Sequence, residues 1–164
     1  MNVMKRRNVI ALILSLLTIF VITGCSAEGI KRNDKYVASV KSLVNDVVNL
    51  NRVFNEQDKD FNCHDPESIE KITETMDTLS QRFDSILKLQ AENEFREYDQ
   101  QLKNEAKQAL QIITQLRTLV KYSETKLDDK LYQNEKEELI ETYKVVCGYM
   151  REISSEVQTY WRNA

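Results

Sequence analysis

The chain has 164 residues, with 23 Lys and Arg against 26 Asp and Glu, three Gly, one Pro and a net charge of −3. A length of this order holds one ordinary domain. The acidic balance excludes the concentrated basic face that phosphate recognition requires, so no nucleic acid partner is expected.

The first element is the leader "MNVMKRRNVIALILSLLTIFVITGC". Lys5, Arg6 and Arg7 precede an apolar run from Val9 to Ile22, an arrangement of basic and apolar regions that reads as a secretory signal. The run is shorter than the roughly 20 residues of a comfortable membrane span, which favours a cleaved leader over the alternative of an uncleaved anchor. Basic residues ahead of it favour export of everything that follows.

The four residues Ile22, Thr23, Gly24 and Cys25 resemble the lipobox of bacterial lipoprotein signal peptides. Gly24 and Cys25 match that motif, Ile22 stands for its usual Leu, and Thr23 is less common at its place. The resemblance covers residues 1–25 alone. It implies a diacylglycerol thioether on Cys25, cleavage between Gly24 and Cys25, and often a further acyl chain such as palmitate on the new amine. Residues 1–24 are then a cleaved signal peptide, residues 25–33 a lipidated Cys with a polar tether, and residues 34–164 an extracytoplasmic domain. The expected location is the extracytoplasmic side of a bacterial membrane, at the cell surface or in the periplasm. No cofactor is expected other than that covalent lipid. Removing the three basic residues of the leader leaves 20 Lys and Arg against 26 Asp and Glu, so an anionic membrane surface offers no electrostatic help and attachment rests on the acyl chains.

Beyond the leader only Gly29, Gly148 and Pro66 interrupt apolar residues at helical spacing, and an all-α fold follows. A first helix is predicted from about Asp34 to Asp58, with Val37, Val40, Val44, Val47, Leu50 and Phe54 on one face. Asp65 followed by Pro66 supplies an N-cap and a first turn for the second helix. That helix carries Ile69, Ile72, Met76, Leu79, Phe83 and Ile86 in steps of three and four, the seam of helices packed at shallow angles. The next turn is placed near "QAENE", where no Gly or Pro enforces it and Asn93 is the best cap. The third helix presents Phe95, Tyr98, Leu102, Ala106, Ala109, Ile113, Leu116 and Val120. After "SETKLDDK" the fourth presents Leu139, Tyr143, Val146, Met150, Ile153, Val157 and Tyr160. The predicted architecture is an antiparallel, up-down-up-down four-helix bundle with coiled-coil-like packing, favoured as a monomer. The alternative keeps residues 66–124 as one continuous helix in a long hairpin that dimerises as a coiled coil.

The loop "DKDFNCHDPE" holds the only His beside Cys63 and several acids. Asp58, Asp60 and Asn62 have the first spacings of a calcium loop, but Cys63 stands where Gly must turn the chain and Ile69 where a bidentate Glu belongs. Cys63, His64 and Asp65 are the candidates for a metal, and they fall short of the four ligands that zinc takes, so no metal is expected. An exposed turn whose acids cap the next helix accounts for Asp65 and Glu67. Cys63 and Cys147 form an even exported pair, yet in the bundle Cys147 lies about 15 residues, or roughly 20 Å, up the last helix, against the roughly 7 Å limit for bridging. No residue is assigned a catalytic role: adjacent Cys63 and His64 point apart, and a thiol nucleophile needs its base across a pocket. Tyr143 and Tyr160 fall on the seam, and Trp161 is either an end plug or an exposed contact for a partner.

The expected function is therefore that of a membrane-anchored, non-enzymatic interaction module binding a protein, peptide or envelope component, with an inhibitory or exclusion role as one specialised form. A ligand or metal carrier using the Cys63 to Glu67 loop or a bundle cavity is the alternative. A thiol or hydrolytic enzyme is the remaining one.

Overall fold

The computed structural model describes the backbone of residues 3–123 and 129–163, and the side chains of residues 29–121 and 134–163. The predicted loop at residues 123–130 lies largely outside the described residues. The described chain is all-helical: α1 (Val3–Lys59), α2 (Pro66–Leu87), a single 3-10 turn (Asn93–Phe95), α3 (Arg96–Ser123) and α4 (Asp129–Asn163). It divides into two compact units, Met1–Lys35 and Tyr36–Ala164.

In the first unit the helical backbone runs without a break through residues 26–33, the stretch whose small polar residues read as a tether. No proline lies there, and Gly29 alone does not stop a helix.

In the second unit four helices pack against one another around one apolar core. Every seam residue of α1 except Leu50 is buried, and so are Ile72, Met76, Leu79, Phe83 and Ile86 on α2. On α3, Leu102, Ala106, Ala109 and Ile113 are buried, and on α4 Tyr143, Val146, Met150 and Val157. Tyr143 sits at the crossing of three helices. Its ring meets Phe54 of α1 and Phe83 of α2 edge-on, each with centroids 6.3 Å away, the geometry in which a ring edge faces a negative π-face. Ion pairs rim the core: Asp46 of α1 with Arg82 of α2, Asp77 of α2 with Arg117 of α3, and Asp58 of α1 with Lys136 of α4.

The start of α2 forms as its residue types dictate. Asp65 has extended backbone angles, its side chain accepts the Glu67 N–H at 3.2 Å, and Pro66 opens the helix. The end of α2 has no such local signal. Lys88 closes it in the right-handed region with its N–H turned back to the Ser85 and Ile86 carbonyls, and Leu89 N–H reaches Ile86 O at 3.1 Å. Five residues then separate α2 from the 3-10 turn, so residues 66–124 are not one helix. Asn93 does not cap α3 through its side chain. Its Oδ1 instead accepts the Arg96 guanidinium at 2.7 Å, and Glu92 precedes the 3-10 turn without a side-chain cap.

What holds this turn is tertiary. Lys103 reaches from α3 to the Leu89 carbonyl and to the Asp99 carboxylate, 2.7 Å away. Phe95 is wholly buried. Its ring lies 5.4 Å from Tyr36, 5.5 Å from Tyr160 and 5.9 Å from Trp161. The α2–α3 turn is thereby fixed to the beginning of α1 in this unit and to the end of α4.

Candidate functional site

The loop between α1 and α2 spends its polar groups on its own shape. Asn62 Oδ1 accepts the His64 N–H at 3.0 Å, and the Asn62 N–H donates to Ser68 Oγ at 3.1 Å. The Asp65 N–H closes a turn on Asn62 O at 3.1 Å. Asp58 is drawn to Lys136, which also lies 5.9 Å above the Phe61 ring, and Glu67 pairs with Lys71 at 2.6 Å. With the acids so divided, no three of His, Cys, Asp or Glu converge on one point among the described residues. A cleft of about 350 Å3 beside the loop includes Asp60, Asp65, Glu67 and Lys71.

Cys63 is half-buried in this loop and Cys147 is buried on α4, and both are free thiols. Burial pushes the Cys147 thiol up to about 11, partly offset by a contact with the Tyr143 hydroxyl one turn earlier. Tyr143 is raised still further, by its own burial first and by Cys147 second. The thiol is the polar neighbour of a hydroxyl that otherwise has no hydrogen-bond partner. Such a thiol is almost wholly protonated at neutral pH and a poor nucleophile. The side chain of Cys25 lies outside the described residues.

Trp161 is half-buried against the core, with its ring edge-on to Phe95. Tyr160 is 42% exposed although it falls on the α4 seam, because the helix there has run past the core and the ring lies over Phe95 and Tyr98. Tyr36 completes the cluster. It is buried, and burial together with the nearby Asp99 carboxylate raises its hydroxyl well above the usual tyrosine range. Tyr36 is missing from the predicted seam because it adjoins Val37, which satisfies the spacing by itself. The Asp99 and Lys103 pair that faces this end is legible as an i, i+4 pair.

A second surface has no counterpart among the sequence-based candidates. Between α3 and α4 a groove of about 490 Å3 is lined by Thr114, Gln115, Thr118 and Leu119 on one side and by Glu135, Glu138, Leu139 and Thr142 on the other. Further along α4, Val145 and Tyr149 are exposed. The groove combines three threonine hydroxyls, which donate to carbonyls one turn back in their own helices and keep lone pairs to accept, with the Gln115 amide, two carboxylates and two leucines. That mixture suits a peptide segment better than a purely apolar ligand. The signal for it in the sequence is slight: three polar residues in steps of one and three on α3, with Leu119 beside the α3 seam and Leu139 on the α4 seam.

Among the described residues no helix is long and apolar enough to cross a membrane. No protein-family model, no curated protein and no solved structure matches the chain, so its reading rests on its own residues.

Proposed function

We propose that this chain is a bacterial lipoprotein, held on the extracytoplasmic face of a membrane by a diacylglyceryl group on Cys25, and that residues 34–164 act there as a non-enzymatic helical interaction module. The anchor rests on Gly24 and Cys25 at the exit of a short apolar run behind three basic residues. The arrangement proposed for the helices is the antiparallel, up-down-up-down bundle. It is supported by the meeting of Tyr36, Phe95 and Trp161 in one cluster and of Asp58 with Lys136 in another.

The observation that carries the interaction reading is the α3–α4 groove, a mixed polar and apolar surface with the exposed Val145 and Tyr149 beyond it. The proposed partner is a protein or peptide of the cell envelope.

Two measurements test the parts separately. Mass spectrometry of protein extracted from membranes is expected to find a diacylglyceryl Cys25 at the N-terminus; a retained Met1, or an unmodified start elsewhere, rejects the anchor. A photo-crosslinking residue at Thr118 in intact cells is expected to give a discrete adduct that Leu119→Arg abolishes. No adduct there or at Tyr149 rejects the interaction module.

A further inference from the structure

We propose that the end of the four-helix unit built by Tyr36, Phe95, Tyr98, Tyr160 and Trp161 rests in the headgroup layer of the membrane that carries the anchor. This inference depends on the reading of Cys25 as the lipid attachment point, and it adds which surface of the domain the bilayer meets.

The first support is chain reach. Tyr36 follows Cys25 by eleven residues, which extend at most about 36 to 40 Å and, as helix, about 16 Å. Tyr36 touches Phe95, and Phe95 touches Tyr160 and Trp161, so the whole aromatic cluster shares that short leash. Asp58, which pairs with Lys136 of α4, lies farther along α1 than Tyr36 by 22 residues, or about 33 Å. Of the features described, the aromatic end is the one the anchor holds nearest the membrane.

The second support is chemistry. Tyr and Trp combine an apolar ring with a polar tip, and for that reason they collect at membrane–water boundaries. Here Phe95 is sealed in the centre, while Tyr98 and Trp161 are half-buried and Tyr160 is exposed around it. Rings packed edge-on and tilted against one another in this way are held in place before any bilayer is met.

The third is charge. The exposed Lys88, Arg96 and Arg162 of this end are interspersed with Glu94 and Glu97. Mixed signs give little attraction to an anionic leaflet and point to the uncharged headgroup–acyl boundary as the surface that fits. A second copy of the chain on the same end is the competing occupant.

Trp161 is the only tryptophan, so its fluorescence reports this end alone. The full chain, expressed in a bacterium, extracted from its membranes and checked by mass spectrometry for the lipid on Cys25, is reconstituted into phosphatidylcholine vesicles containing lipids with a nitroxide on the headgroup. Trp161 is expected to lose at least half its emission to the nitroxide. A variant with Trp161→Phe and Glu67→Trp, which moves the reporter to the α1–α2 loop, is expected to lose almost none. Equal quenching at the two positions overturns the proposal. So does an unquenched Trp161 on a lipidated chain, which leaves the anchor standing, and emission that varies with protein density but not with nitroxide assigns the end to a second copy. A Cys25 without lipid overturns both readings.

Discussion

The Lys136 ammonium lies 2.9 Å from the Asp58 carboxylate, with only 11% and 19% of the two side chains exposed. It is a charge contact more than an aligned hydrogen bond, since that carboxylate oxygen meets no donor at good angles. Two charges taken this far from water depend on each other, and removing one strands the other. Asp58→Ala and Lys136→Met are each expected to lower unfolding free energy by about 2 to 3 kcal/mol. Exchanging the two residues should recover part of that loss in denaturant titrations.

Phe95→Ala should be among the most damaging single changes. The ring is buried and contacts Tyr36, Tyr98, Tyr160 and Trp161, and truncating such a residue typically costs about 3 to 5 kcal/mol. Tyr160→Ala, at an exposed position on the same cluster, is expected to cost under about 1.5 kcal/mol, the worth of an aromatic pair. Thermal unfolding of the two variants side by side checks the ratio.

These two residues also show where the sequence was readable. The α2 seam from Ile72 to Ile86 and the Asp65–Pro66 start were legible, because three-four spacing and a cap are local signals, while Ile69 at the first turn is only partly buried. Tyr160 fits the spacing equally well and is exposed, because spacing says which way a residue faces and not where the core ends. Ile112, Ile140 and Cys147 were missed for a related reason. They flank their seams and are nonetheless buried, as expected where a helix has neighbours on two sides and its apolar stripe is wider than a two-position seam. The α2–α3 turn was hardest, since a lysine side chain from α3 and a phenylalanine holding distant rings determine it. The α3–α4 groove required two helices to be placed together before it existed at all.

Alkaline conditions should weaken the fold through Cys147. Burial raises its pKa from 9.0 to about 11, so the unfolded chain releases this proton first. The stabilisation is therefore complete below about pH 9 and is lost as pH rises towards 11, by about 2 to 3 kcal/mol. Tyr143, also raised by burial, acts in the same direction at higher pH. Denaturant midpoints measured from pH 8 to pH 11 should fall, and Cys147→Ala should make that fall shallower even if its midpoint at pH 8 is lower.

Thiol labelling separates the two cysteines at neutral pH. Cys63, half-buried in a loop, is expected to react within the mixing time of an ordinary assay, and buried Cys147 only as fast as the fold opens. Equal rates for the two would contradict the burial of α4.

Lys103→Met should loosen the α2–α3 turn without unfolding the helices. It removes the donor to Leu89 O and the partner of Asp99, each worth about 1 to 3 kcal/mol where a charge is involved. Amide exchange at Leu89 and Phe95 is expected to quicken at least tenfold, and exchange in the middle of α3 to stay unchanged.

The middle of α3 differs in kind from its ends. Ala106 and Ala109 are buried there, and a methyl group has no rotamers to lose when it is confined. That stretch is ordered at no side-chain entropy cost, whereas the aromatic end is ordered only by fixing the χ angles of five rings. Thermal agitation should thus enter from the Phe95 end and stop at the alanines, leaving the centre of α3 as the last part of the chain to exchange its amide hydrogens with water.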